Sequence, residues 1–220
     1  MTRLGFLHTA EVHVATFAHV LYQEDPAAAA VHVVDPTLLA DATVRGGVDE
    51  DLMHRVAVRL GELERHRVDL ILCTCSTIGA EAEIVGSGRA VAVRRIDRAM
   101  ADEAVRAAHR IAVVATVAST LLPTRRLIAD AAETAGARPT IHDVLVADAW
   151  SLFQDGDITG YLDLVTDVVI RVSPRFDVIV LAQASMAPVA DRVTHLPCRV
   201  LASPALGVRA GLREVHLQAG

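Results

Sequence analysis

The chain repeats itself. The run Arg3-Leu-Gly-Phe-Leu-His-Thr9 resembles Arg110-Ile-Ala-Val-Val-Ala-Thr116 at an offset of 107 residues, and Asp69-Leu-Ile-Leu-Cys-Thr-Cys75 resembles Asp177-Val-Ile-Val-Leu-Ala-Gln183 at an offset of 108. Two ordered matches at nearly one offset constrain the fold more than either alone, since any two buried strands look somewhat alike. Together they ask for two lobes of like topology within 220 residues, a length that can bury two small cores. His32 and Asp35 are loosely echoed by His142 and Asp143.

Short apolar runs alternate with longer periodic ones. Strands are expected at residues 4–8, 31–34, 69–73 and 90–93, and again at 111–115, 139–142, 177–182 and 199–202. Several are continuously apolar, as parallel strands covered on both faces are. Between them Leu52, Met53, Val56, Leu60 and Leu63 recur at helical spacing behind a capping Asp49. Met100, Ala104, Val105 and Ala108 do the same, as do Leu127, Ile128, Ala131 and Ala132 before Gly136, and Leu162, Val165, Val169 and Val172 before Pro174. Residues 41–47, polar and glycine-rich, read as a loop. The alternation predicts an α/β fold: two pseudo-symmetric Rossmann-like lobes, each with a mainly parallel four-stranded sheet. Residues 1–97 form the first lobe with 203–220 packing back on it, and 98–202 form the second. Ligands of open parallel sheets bind beyond the carboxyl ends of the strands. The expected active site is a cleft between the lobes, lined by the loops after Thr9, Cys75, Thr116 and Gln183.

Composition narrows the function classes. The formal charge is −6 and no basic run occurs, which speaks against non-specific nucleic-acid binding. No apolar run approaches the ~20 residues of a membrane span, and residues 1–8 turn polar too quickly for a signal peptide. Three cysteines, two of them one residue apart, do not make a secreted disulfide framework. The expectation is a cytoplasmic protein with no nucleic-acid or membrane partner. The alanines at 27–30 and the alanine-rich helices suggest close helix contacts, hence a possible homodimer.

Cys75 is the candidate catalytic residue. It closes an apolar run, is followed by Ser76 and Thr77, and would stand where helix amides stabilise a thiolate. Cys73, within the run, and Cys198 read as core residues. The hydroxyls of Thr9, Ser76, Thr77, Thr116, Ser119, Thr120 and Ser185 lie at or just after strand ends, where they and backbone N–H groups can hold a carboxylate without any lysine. Each is equally a helix cap, and it is their recurrence in both halves that suggests a substrate-binding cradle. Gln183 joins this set, with His8 as a possible accessory polar residue. Cys73-Thr-Cys75 is not a CxxC pair and His8 and His13 match no ligand spacing, so no metal is expected. No dinucleotide fingerprint or nucleophile elbow occurs either.

These motifs, in this order, resemble the aspartate/glutamate/hydantoin racemase superfamily. Cys75-Ser76-Thr77 falls on that family's Cys-Asn-Thr motif. Leu7-His8-Thr9 and Ala115-Thr116 with Ser119 resemble its substrate-carboxylate loops. Asp177 to Ser185 lies where the family has Asp-x-x-Val-Leu-Gly-Cys-Thr, and residues 201–210 resemble its closing segment. The resemblance implies a cofactor-independent enzyme for a small carboxylate of amino-acid, hydantoin or dicarboxylate type. The family's racemases use two cysteines on opposite faces of the substrate α-carbon. Here the second position is Gln183, which cannot exchange protons as a thiol does. Racemisation or isomerisation through one cysteine is therefore weighed against a single-cysteine decarboxylase-like activity, a thiol-transfer or redox role for Cys75, and a non-catalytic small-carboxylate binding protein on the same scaffold.

Overall fold

The computed structural model describes residues 1–219. Two four-stranded parallel sheets organise the chain. The first contains β1 (Arg3–His8), β2 (Ala29–Val34), β3 (Leu70–Cys73) and β4 (Val93–Arg95) in the order β2-β1-β3-β4. The second contains β5 (Arg110–Ala115), β6 (Thr140–Leu145), β7 (Val178–Leu181) and β8 (Arg199–Ala202) in the order β6-β5-β7-β8. Contacts divide the chain into unit 1, residues 1–97 with 204–220, and unit 2, residues 98–203.

The registers show the repeat residue by residue. Leu4 pairs with Leu70 in unit 1 and Ile111 with Val178 in unit 2, offsets of 107 and 108. Ile71 pairs with Val93, and Ile179 with Val200. The aspartates that open the repeated motif share a structural task. Asp69 accepts from the Arg3 amide at 2.7 Å, and Asp177 accepts from the Arg110 amide at 2.8 Å. Each pins the start of its central strand to its neighbour. The histidine echo is off by one: Phe6 pairs with His32, whereas the equivalent Val113 pairs with Asp143. Side chains alternate across a strand, so His142 faces opposite to the counterpart of His32.

Helices α1 (Val12–Glu24), α2 (Pro36–Arg45), α3 (Glu50–Arg65) and α4 (Gly79–Gly86) belong to unit 1. Leu52, Val56, Leu60 and Leu63 of α3 are fully buried, each contributing about 1.5–3 kcal/mol relative to exposure. Asp49 caps α3 through the Leu52 amide. Residues 41–45 are helical rather than loop. Asp35 accepts from the Thr37 amide, Pro36 opens α2, Leu38 and Ala42 are buried, and Gly46 ends it at φ 73°. Unit 2 carries α5 (Arg98–Ala107), α6 (Leu121–Thr134), α7 (Ala147–Gln154), α8 (Ile158–Val172) and the short α9 (Ala187–Arg192).

The last helix, α10 (Ser203–Ala219), lies on unit 1 almost entirely. A Cβ on Gly207 would stand 2.2 Å from the Ile96 carbonyl oxygen, and one on Gly211 would meet Leu70 and Leu72. Arg209 pairs with Glu24, and Glu214 with Arg94. Alanines 27–30 do not form a helix: Ala27 and Ala28 turn, and Ala29 and Ala30 begin β2. That stretch therefore supplies no helix contact for a dimer. Among the described residues no helix is long and apolar enough to cross a membrane.

Candidate functional site

In unit 1 the reactive groups gather where the strands end. β3 stops because Thr74 turns both its amide and its hydroxyl onto the Leu7 carbonyl, each at 3.0 Å. The chain then bends through Cys75, Ser76, Thr77 and Ile78 into α4. Cys75 is buried at 9% exposure. Burial pushes its thiol up, against hydrogen bonds from the Thr9 hydroxyl, the Ile78 and Thr77 amides and the Thr77 hydroxyl. The resting group is a thiol, set among four donors that would stabilise the thiolate once formed. Cys73 is fully buried, and burial pushes its thiol far up, which fits a core residue.

A second feature is a one-way hydrogen-bond chain. His8 is fully buried, with Nδ1 2.8 Å from the Thr74 hydroxyl and Nε2 2.8 Å from His32 Nδ1. The Thr74 proton goes to Leu7, so neutral His8 donates from Nδ1 and His32 donates to His8 Nε2. His13 stands 6.3 Å from His8 between ring centroids, with Phe6 and Phe17 completing the cluster. Burial, with His32 and His13 adding to it, pushes His8 down to about 3. Burial pushes His13 down to about 4 and lowers His32.

The third is an ion pair. Arg95 Nε and a terminal nitrogen donate to the two oxygens of Asp97 at 2.7 and 2.9 Å, with Arg95 4% and Asp97 1% exposed. Burial opposes the Asp97 charge, but Arg95, with a hydrogen bond from Ser76, holds the carboxyl below its ordinary range. Ser76 thus spends its proton on Asp97. Arg95 in turn lies beneath the first residue of α4, 3.1 Å from where a Cβ on Gly79 would sit. The turn carrying Cys75 is held from below by a charge pair.

Unit 2 answers with a neutral arrangement. The Gln183 side-chain oxygen accepts from the Thr116 amide at 2.6 Å, the Thr116 hydroxyl at 2.9 Å and the Val117 amide at 3.2 Å. Tyr161, fully buried, bonds Ser185 at 2.7 Å and also Thr116. Burial pushes its phenol up, against those two bonds. Thr116 gives its proton to Gln183, so Tyr161 donates to Thr116 and Ser185 to Tyr161. Ser119 is half-buried and Thr120 buried, both in the turn before α6.

Of the residues singled out in the sequence, the structure brings together Cys75, Thr9 and Thr77 in unit 1. It brings together Thr116, Gln183 and Ser185 in unit 2. His8 is buried, and its two ring nitrogens bond Thr74 and His32 rather than the Cys75 sulfur. Sequence reasoning missed Arg95, Asp97, His32 and Tyr161. The visible signal for the ion pair was two opposite charges at i and i+2, Arg95-Ile-Asp97, where an apolar run gives out. One oxygen of Glu81, in the first turn of α4, is buried without a hydrogen-bond partner. Among the described residues no group of three His, Cys, Asp or Glu side chains is placed to hold a metal.

No protein-family model matches the sequence, and no curated protein matches it significantly. Solved structures do. An aspartate racemase from Picrophilus torridus aligns at TM-score 0.72 and 14% identity over 98% of this chain and 95% of that one. An allantoin racemase from Klebsiella pneumoniae aligns at 0.70 and 17%, over 99% and 89%. The glutamate racemase RacE1 from Bacillus anthracis aligns at 0.70 and 13%, over 100% and 83%. At these identities the likeness is one of fold: two pseudo-symmetric units, each built on a parallel four-stranded sheet.

Proposed function

We propose that the protein is a cofactor-independent enzyme of racemase or isomerase type that acts on a small carboxylate through Cys75. The observation that carries this reading is the convergence of two hydroxyls and two backbone amides on the Cys75 sulfur at the carboxyl end of a central parallel strand. A core cysteine needs no such donors. The shared fold with aspartate, glutamate and allantoin racemases supports the substrate class.

In the proposed reaction the Cys75 thiolate takes the α-proton of the bound carboxylate, becoming the thiol and leaving an enediolate. The raised proton affinity of the sulfur makes the thiolate scarcer but a stronger base. Thr9 and Thr77 turn their hydroxyls from the sulfur to the ligand carboxylate as the sulfur takes up the proton, while Ser76 stays with Asp97. The same thiol then returns a proton to the same face. With one cysteine returning the proton to the face it left, exchange with retained configuration is the expected signature.

The test is proton exchange in D2O, followed by NMR, with aspartate, glutamate, hydantoins and substituted malonates as probes. Wild type should exchange the α-proton of one enantiomer, and Cys75→Ser should lower the rate by at least ~100-fold, within what one acid–base group supplies. Exchange at the wild-type rate in Cys75→Ser would reject the assignment. A second reading, a carboxylate-binding protein without turnover, is favoured by the resting protonation of Cys75. It predicts saturable binding of a probe with no exchange of its α-proton.

A further inference from the structure

We infer that Gln183 is a specificity-determining residue whose side-chain –NH2 is a fixed donor for a carboxylate oxygen of the ligand. The inference rests on the reading above that strand ends of this fold recognise a small carboxylate, and it narrows the place of Gln183 in that cradle to one donor group.

The orientation of the amide follows from its partners. Two backbone N–H groups and one hydroxyl converge on a single atom of Gln183, and a backbone N–H can only donate. That atom is the oxygen, so the nitrogen must point the other way. Gln183 is half-buried, and its nitrogen makes no hydrogen bond within the described residues. Two N–H donors are therefore held in place and unspent.

Everything around them is spent. Thr116 donates its amide and its hydroxyl to Gln183, Tyr161 donates to Thr116, and Ser185 donates to Tyr161. The chain runs one way and ends on the Gln183 oxygen. Hydrogen bonds in such a chain polarise one another, and an amide whose oxygen accepts three donors gives its own N–H protons more readily. Thr116 and Ser185 thus act as positioning residues, and Gln183 carries their hydrogen-bonding capacity outward. The comparison with unit 1 sharpens the point. At the equivalent position Cys75 keeps its sulfur on its own turn, with Thr9 reaching to it. The longer glutamine side chain instead reaches back to the end of β5. An acceptor is welcome at the –NH2 group and a donor is not, which selects a carboxylate over an amine at this point.

The experiment uses the full-length 15N-labelled protein and malonate as the probe. The Gln183 side-chain N–H pair is identified by its loss in Gln183→Glu. That variant keeps one oxygen on Thr116 and Val117 but replaces the donors by a second oxygen. In the free wild-type protein the Thr116 and Val117 amides should exchange slowly with solvent. Malonate should shift the Gln183 pair saturably, and Gln183→Glu should weaken malonate at least ~10-fold, read from the Thr116 and Val117 resonances. The inference falls if those two amides exchange rapidly, if malonate binds without moving the Gln183 pair, if it binds the Glu variant as tightly, or if wild type binds no malonate. Cys75→Ser separates this from the catalytic reading. A variant that binds malonate through Gln183 normally but abolishes α-proton exchange supports both, whereas normal binding in a wild type that exchanges nothing leaves the Gln183 assignment standing and removes the enzymatic one.

Discussion

Arg95 and Asp97 show how much one pair of side chains decides here. Each would be expensive to bury alone, and each is nearly inaccessible. Their bidentate geometry and the Ser76 hydroxyl satisfy the charges where water cannot. A buried pair of this kind is poor evidence of net stability, because the cost of removing two ions from water offsets their attraction. Removing one partner is another matter, since it strands the other. Arg95→Met should therefore destabilise the protein by about 3–5 kcal/mol, measured as the free energy of unfolding in urea. The double variant with Asp97→Leu should recover most of the loss. A single variant costing under ~1 kcal/mol would show that Asp97 finds solvent or another partner. The pair also bears on chemistry, because Ser76 stands next to Cys75 and is oriented by Asp97. Small displacements there move the donors around the sulfur.

At the scale of elements, the close approach of α10 to the end of β4 is made possible by the absence of one carbon. With a Cβ on Gly207 standing 2.2 Å from a backbone oxygen, neither partner can give way by rotating a side chain. Gly207→Ala must shift the helix, with its Arg209–Glu24 and Arg94–Glu214 pairs. We expect a loss of about 1–3 kcal/mol, as for other overpacked contacts, seen as a lower melting temperature. An unchanged melting temperature would place α10 farther from β4 than described. The elements themselves were largely legible. Continuous apolar runs named the central strands, and the two offsets named which strand of one unit answers which of the other. The misses have physical causes. Strand β4 falls at Val93–Arg95 rather than 90–93 because a buried arginine, neutralised by Asp97, looks in the sequence like the start of a polar loop. Helix α2 hid behind the polar residues of its exposed face, although Asp35-Pro36 and Gly46 mark both ends. At the site, Cys75 and the hydroxyls were visible because residue type alone suggests chemistry. Which hydroxyl donates to which acceptor was not, because Tyr161 and Gln183 meet Thr116 only through the fold.

The two units have the same topology but should answer acid differently. Unit 1 buries His8 fully and keeps His13 and His32 partly buried around Phe6 and Phe17. The histidines of unit 2, at 109, 142 and 195, lie at the surface. Burial holds His8 near 3 and His13 near 4 in the folded protein, against an ordinary 6.5. Between those values the unfolded chain binds protons that the native chain does not, so stability rises with pH across this window. The contribution is complete above about pH 6.5 and is lost progressively as the pH falls toward 4 and then 3. The His8–Thr74 and His8–His32 bonds join the loss, because a protonated His8 can no longer accept from His32. The melting temperature should thus fall by on the order of 10 °C between pH 6.5 and 4.5, from about 2 kcal/mol for each of His8 and His13 at the usual few degrees per kcal/mol for a chain of this size. His13→Phe, which keeps a ring against Phe17 and removes one titrating group, should flatten that slope. Hydrogen exchange locates the effect. As the pH is lowered, and after correction for the intrinsic pH dependence of exchange, β1 amides should lose protection before those of β5, although the two strands occupy equivalent places in their sheets. A melting temperature constant down to pH 4.5, or equal loss of protection in β1 and β5, would show that the histidine cluster is not what makes unit 1 acid-sensitive.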